Sequence, residues 1–435
     1  MRTSLIVFLG LLGLATIATV AAQTAPDAKQ LAAKAAADDL VHGKLTELAA
    51  RFNEQTKKAL PEATLKMRLG PGLAQLGAFK KYLDEPMRQT SGENEMFIYP
   101  AEFENGAVDV TIGIDGAGKV STLLARPKVV KPPPAVSPVQ EEDTIVRTRD
   151  FDLPGTISWP NGDGPFPAVV LVHGSGPNDR NETIGPNTPF RDLAWGLAQK
   201  GVAVLRYEKR TKKYGKEAFD GNTTLKQEVM EDALSAVALL RGTAKIDGAR
   251  IVIVGHSLGG QLAPFMAKDD GKLAGIVILA GPARPVSTLL LEQLKYIQTL
   301  NPGVKALETQ IAEAEKLKNI TEEMAPKLFF GAPGYYWKEL DSFQAVPTAK
   351  ALSLPIQVLQ GERDYQVSMD DFALWKSGLS GKNNVVLKSY PKLNHLFMEG
   401  QGKATPAEYQ RLGHVAAYVI EDISLWIKGL PAHKL

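Results

Sequence analysis

"IVIVGHSLGG", residues 251–260, runs four β-branched apolar residues into a serine flanked by glycines two positions to either side. A short apolar run with no polar alternation, closed by glycine, is the pattern of a strand buried on both faces. If a helix starts at Leu258, then Ser257 stands on a sharp strand-to-helix turn, and Gly255 and Gly259 keep side chains out of its crowded interior. The same letters also fit a plain glycine turn that packs a helix on a strand. What separates the two is whether the rest of the chain supplies a base, an acid and donors for an oxyanion.

Outward from this stretch, strand and helix patterns alternate from about Asp143 onward. "TIVRTRDFDLPGTISWP" reads as an opening pair of strands, and "PAVVLVHG", "VAVLRYE", "RIVIVGH", "LAGIVILAG", "PIQVLQGERD" and "NVVLKSYPKLNH" read as the strands that follow. Helical stretches lie between them, at about 190–200, in "LKQEVMEDALSAVALLRG", from Leu258, in "DDFALWKSGL" and in the closing "QRLGHVAAYVIEDISLWIKGL". Such alternation makes a mostly parallel sheet with helices on both faces. Residues 283–350 interrupt the rhythm with helical patterns only, and an insertion at that point lies over the ligand crevice as a cap.

The first third of the chain has a different grammar. "MRTSLIVFLGLLGLATIATVAAQ" has a basic residue, an apolar run and then small residues, with Val20 and Ala22 suited to a cleavage site, so residues 1–22 read as an export signal. A retained membrane anchor is the other reading of that run. Residues 23–36 read as a tail, 37–60 and 72–83 as helical, and the alternating stretch from Asn94 to Pro127 as strands joined by Asn-Gly and Asp-Gly turns. Residues 37–125 are therefore expected to form a small α+β domain, and the proline-rich 126–142 a stiff linker to a large domain at 143–435.

Composition narrows the chemistry. The 435 residues carry a formal charge of +2, which gives no bulk attraction to nucleic acid. There is no cysteine, which excludes disulfides, thiolate nucleophiles and thiolate metal sites. A serine hydroxyl then needs a base. Of the six histidines, His42 lies in the small domain, His433 in the tail and His414 in the closing helical pattern. His256 adjoins Ser257 and has to point elsewhere, and His173 ends an earlier strand. His395 follows the last strand, at the edge where catalytic groups gather in an open parallel sheet, and is the candidate base. The carboxylate that fixes its tautomer is sought in "LQGERDYQV", with Asp364 the first choice and Glu362 and Asp370 its rivals. The oxyanion donors are the backbone N–H of Leu258 and one from "HGSG", either Ser175 or Gly174.

Taken together, residues 143–430 resemble an α/β-hydrolase of the bacterial esterase type, related to dienelactone-hydrolase-like proteins. "HGSGPNDRN", "GHSLGGQ", "GERDYQV" and "NHLF" match that family's motifs in order, and Ser257, Asp364, His395 follow its chain order. The N-terminal segment resembles a small uncharacterised domain found ahead of such hydrolases. The resemblance implies hydrolysis of small-molecule carboxylic esters by a Ser-His-Asp triad through an acyl-enzyme, with no metal or organic cofactor. The leader, read from residues 1–22, implies a periplasmic or secreted protein without stable membrane insertion once it is removed. A serine peptidase, an acyltransferase and a non-catalytic envelope-binding protein are the competing readings. "RYEKRTKKYG" departs from the family, whose members tend to have Asp-Lys-Arg-Gly there; the basic "EKRTKKYGK", residues 208–216, reads as a solvated loop, with attraction of an anionic substrate the other reading.

Overall fold

The computed structural model describes residues 27–431 apart from 92–93, 105, 128–136, 138 and 220–222. The export signal expected at 1–22, most of the linker and His433 lie outside the described residues. The chain divides into two compact units that meet at about residue 131.

The first unit packs helices Ala28–Val41, Leu45–Ala50, Glu54–Ala59 and Glu62–Leu76 with an antiparallel sheet of Phe79–Tyr82, Met87–Ser91, Asn94–Phe103, Gly106–Ile114 and Val120–Pro127. Ala33, Ala36, Ala37, Leu40 and Leu48 share a core with Phe97, Tyr99, Val110 and Ile112. This unit starts earlier than the expected residue 37. The alanine-rich stretch read as a tail is a strong helix former, and its small side chains let the helix lie close on the sheet. The single helical pattern expected over 37–60 breaks into three elements, and Phe79–Tyr82 is a strand rather than the end of a helix.

The second unit holds an eight-stranded sheet: β1 (Gln140–Arg147), β2 (Asp152–Trp159), β3 (Phe166–Val172), β4 (Ala203–Tyr207), β5 (Ile246–His256), β6 (Gly275–Leu279), β7 (Ile356–Gly361) and β8 (Val385–Tyr390). The spatial order is β8-β7-β6-β5-β3-β4-β2-β1, parallel except that β2 runs antiparallel to both its neighbours. β1 begins inside the expected linker, because Glu141 and Glu142 bond Ser158 and Trp159 across the strand pair and bring residues 140–142 into the sheet.

Helices α1 (Pro189–Gln199), α2 (Asp232–Arg241, entered through a π-turn at Lys226–Glu231) and α3 (Leu258–Asp270) follow β3, β4 and β5. The cap contributes α4 (Val286–Leu300), α5 (Lys305–Leu317), α6 (Gly334–Ser342) and α7 (Ala345–Ala351); α8 (Met369–Gly378) and α9 (Ala417–Gly429) complete the unit. Alternate strand residues feed opposite cores. Val170, Val172, Ile251 and Ile253 pack with α2, α3 and α8, whereas Val169, Leu171, Val252 and Val254 pack with α1 and α9. Each such side chain, buried completely, stabilises the fold by about 1.5–3 kcal/mol.

His414 is not in the closing helix, which starts only at Ala417. Asn187 takes the Gly413 N–H at 2.8 Å and Asp192 takes the Val415 N–H at 3.2 Å, so these two amides are bonded outside a helix. The "RYEKRTKKYG" loop replaces the family's glycine with one helical turn at Arg210–Lys213. Three of its basic residues are not solvated: Arg206, Lys209 and Arg210 are buried, and Arg210 is paired with Asp232 at 2.6 Å.

Candidate active site

Ser257 sits between β5 and α3 with φ 51° and ψ −117°, a backbone region that costs a non-glycine residue about 1–3 kcal/mol. Two hydrogen bonds hold it there. Its N–H donates to Leu279 O at 2.8 Å, and its carbonyl accepts the Gln261 N–H at 3.0 Å. The glycines on either side are obligatory. A Cβ on Gly255 would overlap the carbonyl of Gly259, and one on Gly259 would overlap the carbonyl of Val172.

His395 lies in the loop after β8, and its Nδ1–H donates to Asp364 Oδ2 at 2.6 Å. Both side chains are buried. Asp364 also accepts from the backbone of Gln366 at 2.7 Å and of Val367 at 3.1 Å, and from Gln360 Nε2 at 3.2 Å. That set leaves Nε2 of His395 as its basic nitrogen. Among the expected rivals, Glu362 accepts a hydrogen bond from Ser389 instead, and Asp370 is exposed at the start of α8. No hydrogen bond joins His395 to the Ser257 hydroxyl among the described residues. His256, next to Ser257 in the chain, packs against His395: its ring centroid lies 4.7 Å from that of His395 and its Nε2–H donates to the His395 carbonyl at 2.9 Å.

His256 turns away from the turn it belongs to, toward Glu182. Glu182 Oε2 lies 2.9 Å from His256 Nδ1, off the line of a hydrogen bond, and both groups are buried. Burial opposes charge on His256, but the Glu182 carboxylate and the His395 carbonyl outweigh it and raise the pKa. Burial likewise opposes ionisation of Glu182, and His256 with the Gly174 N–H reverses that and lowers it. His173 is different: burial pushes its pKa down to about 4, so it is neutral and donates to the Asp179 carbonyl at 3.0 Å.

Among the described residues, the expected oxyanion donors Leu258 and Ser175 keep an uncommitted N–H, and the alternative Gly174 does not. Leu258 opens α3, so its N–H has no helical carbonyl to bond. Gly174 is not available, because its N–H donates to Glu182 Oε1 at 2.6 Å. Ser175 is exposed, and its N–H has no partner among the described residues. Gly174 lies close against the serine: a Cβ there would stand 3.2 Å from Ser257 Cβ. This arrangement gives a hydroxyl on a strained turn, a carboxylate-oriented imidazole on a neighbouring loop and two uncommitted N–H groups, the parts required for acyl transfer.

Glu182 is the functional residue that sequence reasoning misses. It stands in "RNET", where the only visible pattern is a glycosylation sequon. Its φ of 51° and its burial are consequences of partners distant in sequence. In the cap stretch "FFGAPGYYW", residues 329–337, Phe329 and Tyr336 are buried, and Trp337 Nε1 donates to the Phe329 carbonyl at 2.9 Å.

A family model described as "Alpha/beta hydrolase family" matches residues 169–417, and one described as "Protein of unknown function (DUF3887)" matches residues 33–123. The chain is 41% identical over 339 residues to esterase EstD of Thermotoga maritima, covering 77% of this chain and 80% of that protein. Among solved structures, the hyperthermophilic esterase of Pyrobaculum calidifontis matches with a TM-score of 0.46 at 17% identity, covering 67% of this chain and 86% of its own. Est1E of Butyrivibrio proteoclasticus matches with a TM-score of 0.44 at 15% identity, covering 66% and 98%.

Proposed function

The chain belongs to the alpha/beta hydrolase family, and from that premise we propose that it is a serine esterase in which Ser257, His395 and Asp364 act as one unit. The observation that carries the proposal is the buried hydrogen bond from His395 Nδ1 to Asp364, beside a serine held on a strained turn. His395 Nε2 takes the hydroxyl proton as Ser257 Oγ attacks the ester carbonyl. The negative charge that develops on the carbonyl oxygen is met by the N–H groups of Leu258 and Ser175. The tetrahedral species collapses, His395 gives its proton to the departing alcohol, and Ser257 is left acylated. Water, deprotonated by the same imidazole, then releases the acid and restores the serine. Asp364 stabilises the imidazolium in both halves without itself taking a proton.

The substrate is a small carboxylic ester that enters beneath the helical cap. The leader at residues 1–22 makes export to the periplasm or the medium part of the same proposal, to be read by cell fractionation. The functional test is a panel of p-nitrophenyl esters of rising acyl length, run beside aminoacyl anilides. Ester turnover that exceeds anilide turnover is expected at every chain length. The reverse order would replace the esterase with a peptidase.

A further inference from the structure

The peptide between Gly174 and Ser175 is gripped from behind. Its bond is trans, so the Gly174 carbonyl and the Ser175 N–H share a plane and point in opposite directions. The carbonyl accepts from Lys209 Nζ at 3.2 Å and from Asn178 Nδ2 at 3.2 Å. Whatever holds that carbonyl also aims the N–H on the far side. On the preceding peptide, Glu182 holds the Gly174 N–H. The glycine is therefore fixed at both backbone groups, and the serine N–H is left directed outward.

Lys209 is only 2% exposed. Its own N–H donates to the Asn178 carbonyl at 3.1 Å, which ties its loop to the loop it grips. Its Nζ lies 3.0 Å from Glu228 Oε1, in a pair that is also buried. Glu228 stands in the π-turn ahead of α2, and its other oxygen accepts from the Tyr336 hydroxyl of cap helix α6 at 2.5 Å. A line of buried polar contacts thus runs from the cap to the back of one peptide. Replacing a buried ion pair by apolar side chains is often neutral or stabilising, so stability alone is a weak reason for this one. π-turns inside helices also occur often at functional sites.

Resting on Ser257 as nucleophile and the Ser175 N–H as an oxyanion donor, we propose that Lys209 is a positioning residue for ester hydrolysis. Its ammonium holds the Gly174 carbonyl so that the N–H of the same peptide meets the tetrahedral oxyanion, and Glu228 with Tyr336 keeps the ammonium in place. The charge also polarises the peptide and strengthens its N–H as a donor. A neutral ester carbonyl draws little on that donor, whereas the tetrahedral oxyanion draws on it fully. The contribution of Lys209 therefore falls on kcat and not on KM.

The test uses Lys209→Met, the pair Lys209→Met/Glu228→Gln, which leaves no unpaired buried charge, and Tyr336→Phe. Each is assayed for kcat, for KM on a p-nitrophenyl ester and for inhibition by an alkyl trifluoromethyl ketone, which forms a tetrahedral oxyanion on the serine. Loss of one oxyanion donor costs about 10²–10³ in rate, so a misaimed donor is expected to lower kcat about ten- to hundredfold in the single and double variants. KM should stay within about threefold, the ketone should weaken in step with kcat, and Tyr336→Phe should follow the same direction by about two- to fivefold. A double variant with wild-type kcat, or a rise in KM at constant kcat, would overturn the proposal. Ser257→Ala, assayed alongside, separates the two failures. Activity surviving there removes the nucleophile and this proposal with it. An inactive Ser257→Ala beside a fully active double variant removes only the role of Lys209.

Discussion

The loops that follow β5, β7 and β8 differ in kind from those that follow β3 and β4. The first group presents Ser257, Asp364 and His395 as side chains, held by backbone hydrogen bonds, by the carboxylate–imidazole contact, by Gln360 on Asp364 and by a buried Arg363 paired with Glu408. The second group presents only backbone to the site, and buried ions hold it: Glu182 on the Gly174 N–H and Lys209 on the Gly174 carbonyl. In the proposed mechanism one side carries the reacting atoms and the other carries their aim. Changes in the first group should abolish chemistry in a folded protein, whereas changes in the second should weaken the transition state and the fold together.

The largest effect is expected on the first side. Ser257→Ala or His395→Ala should lower kcat by about 10⁴–10⁶, with an unchanged thermal midpoint in Ser257→Ala, measured by initial rates and by circular dichroism on heating. Asp364→Asn should lower kcat by about 10⁴, since it leaves the imidazole without the carboxylate that fixes its tautomer. On the second side, Glu182→Gln should cost about 3–5 kcal/mol of stability, because His256 then faces no carboxylate in a buried site, and activity should fall by less than in any triad variant. A Glu182→Gln protein of wild-type stability would erase the contrast between the two sides.

That comparison sharpens with pH. The pKa of His256 is raised in the folded protein, so its stabilising share is complete below about 6.5, the ordinary histidine value, and is lost as pH rises through the folded value. The pKa of Glu182 is lowered, so its share is present above the ordinary carboxylate value of about 4.3 and is lost as pH falls through the folded one. The gap in thermal midpoint between the wild type and Glu182→Gln should therefore be widest at about pH 5–6.5 and narrow on both sides. The smallest effect belongs to Glu362→Gln and Asp370→Asn, which should leave kcat within about twofold because neither carboxylate touches the imidazole.

Sequence alone reveals the first side well and the second hardly at all. The strands around Ser257 announce themselves because both faces are apolar, and Gly255 and Gly259 mark the turn because nothing larger fits. Asp364 and His395 are legible because each closely follows a strand end in a parallel sheet. Glu182, Lys209 and Arg210 are not. A charge in a loop looks solvated until its partner is known, and their partners are His256, Glu228 and Asp232, set by tertiary packing. His414 misleads for a related reason: the apolar spacing around it is helical, but Asp192 and Asn187 capture the backbone first. In the small unit, Ala33, Ala36 and Ala37 carry too little hydrophobic contrast to stand out as a buried face, although all three are fully buried.

The most direct measurement is intact-mass analysis of the protein after reaction with a fluorophosphonate, followed by peptide mapping. One adduct per chain is expected, on the peptide that carries Ser257, with none on the Ser257→Ala protein. An adduct on another residue, or undiminished labelling of Ser257→Ala, would show that the hydroxyl at 257 is not the group that attacks.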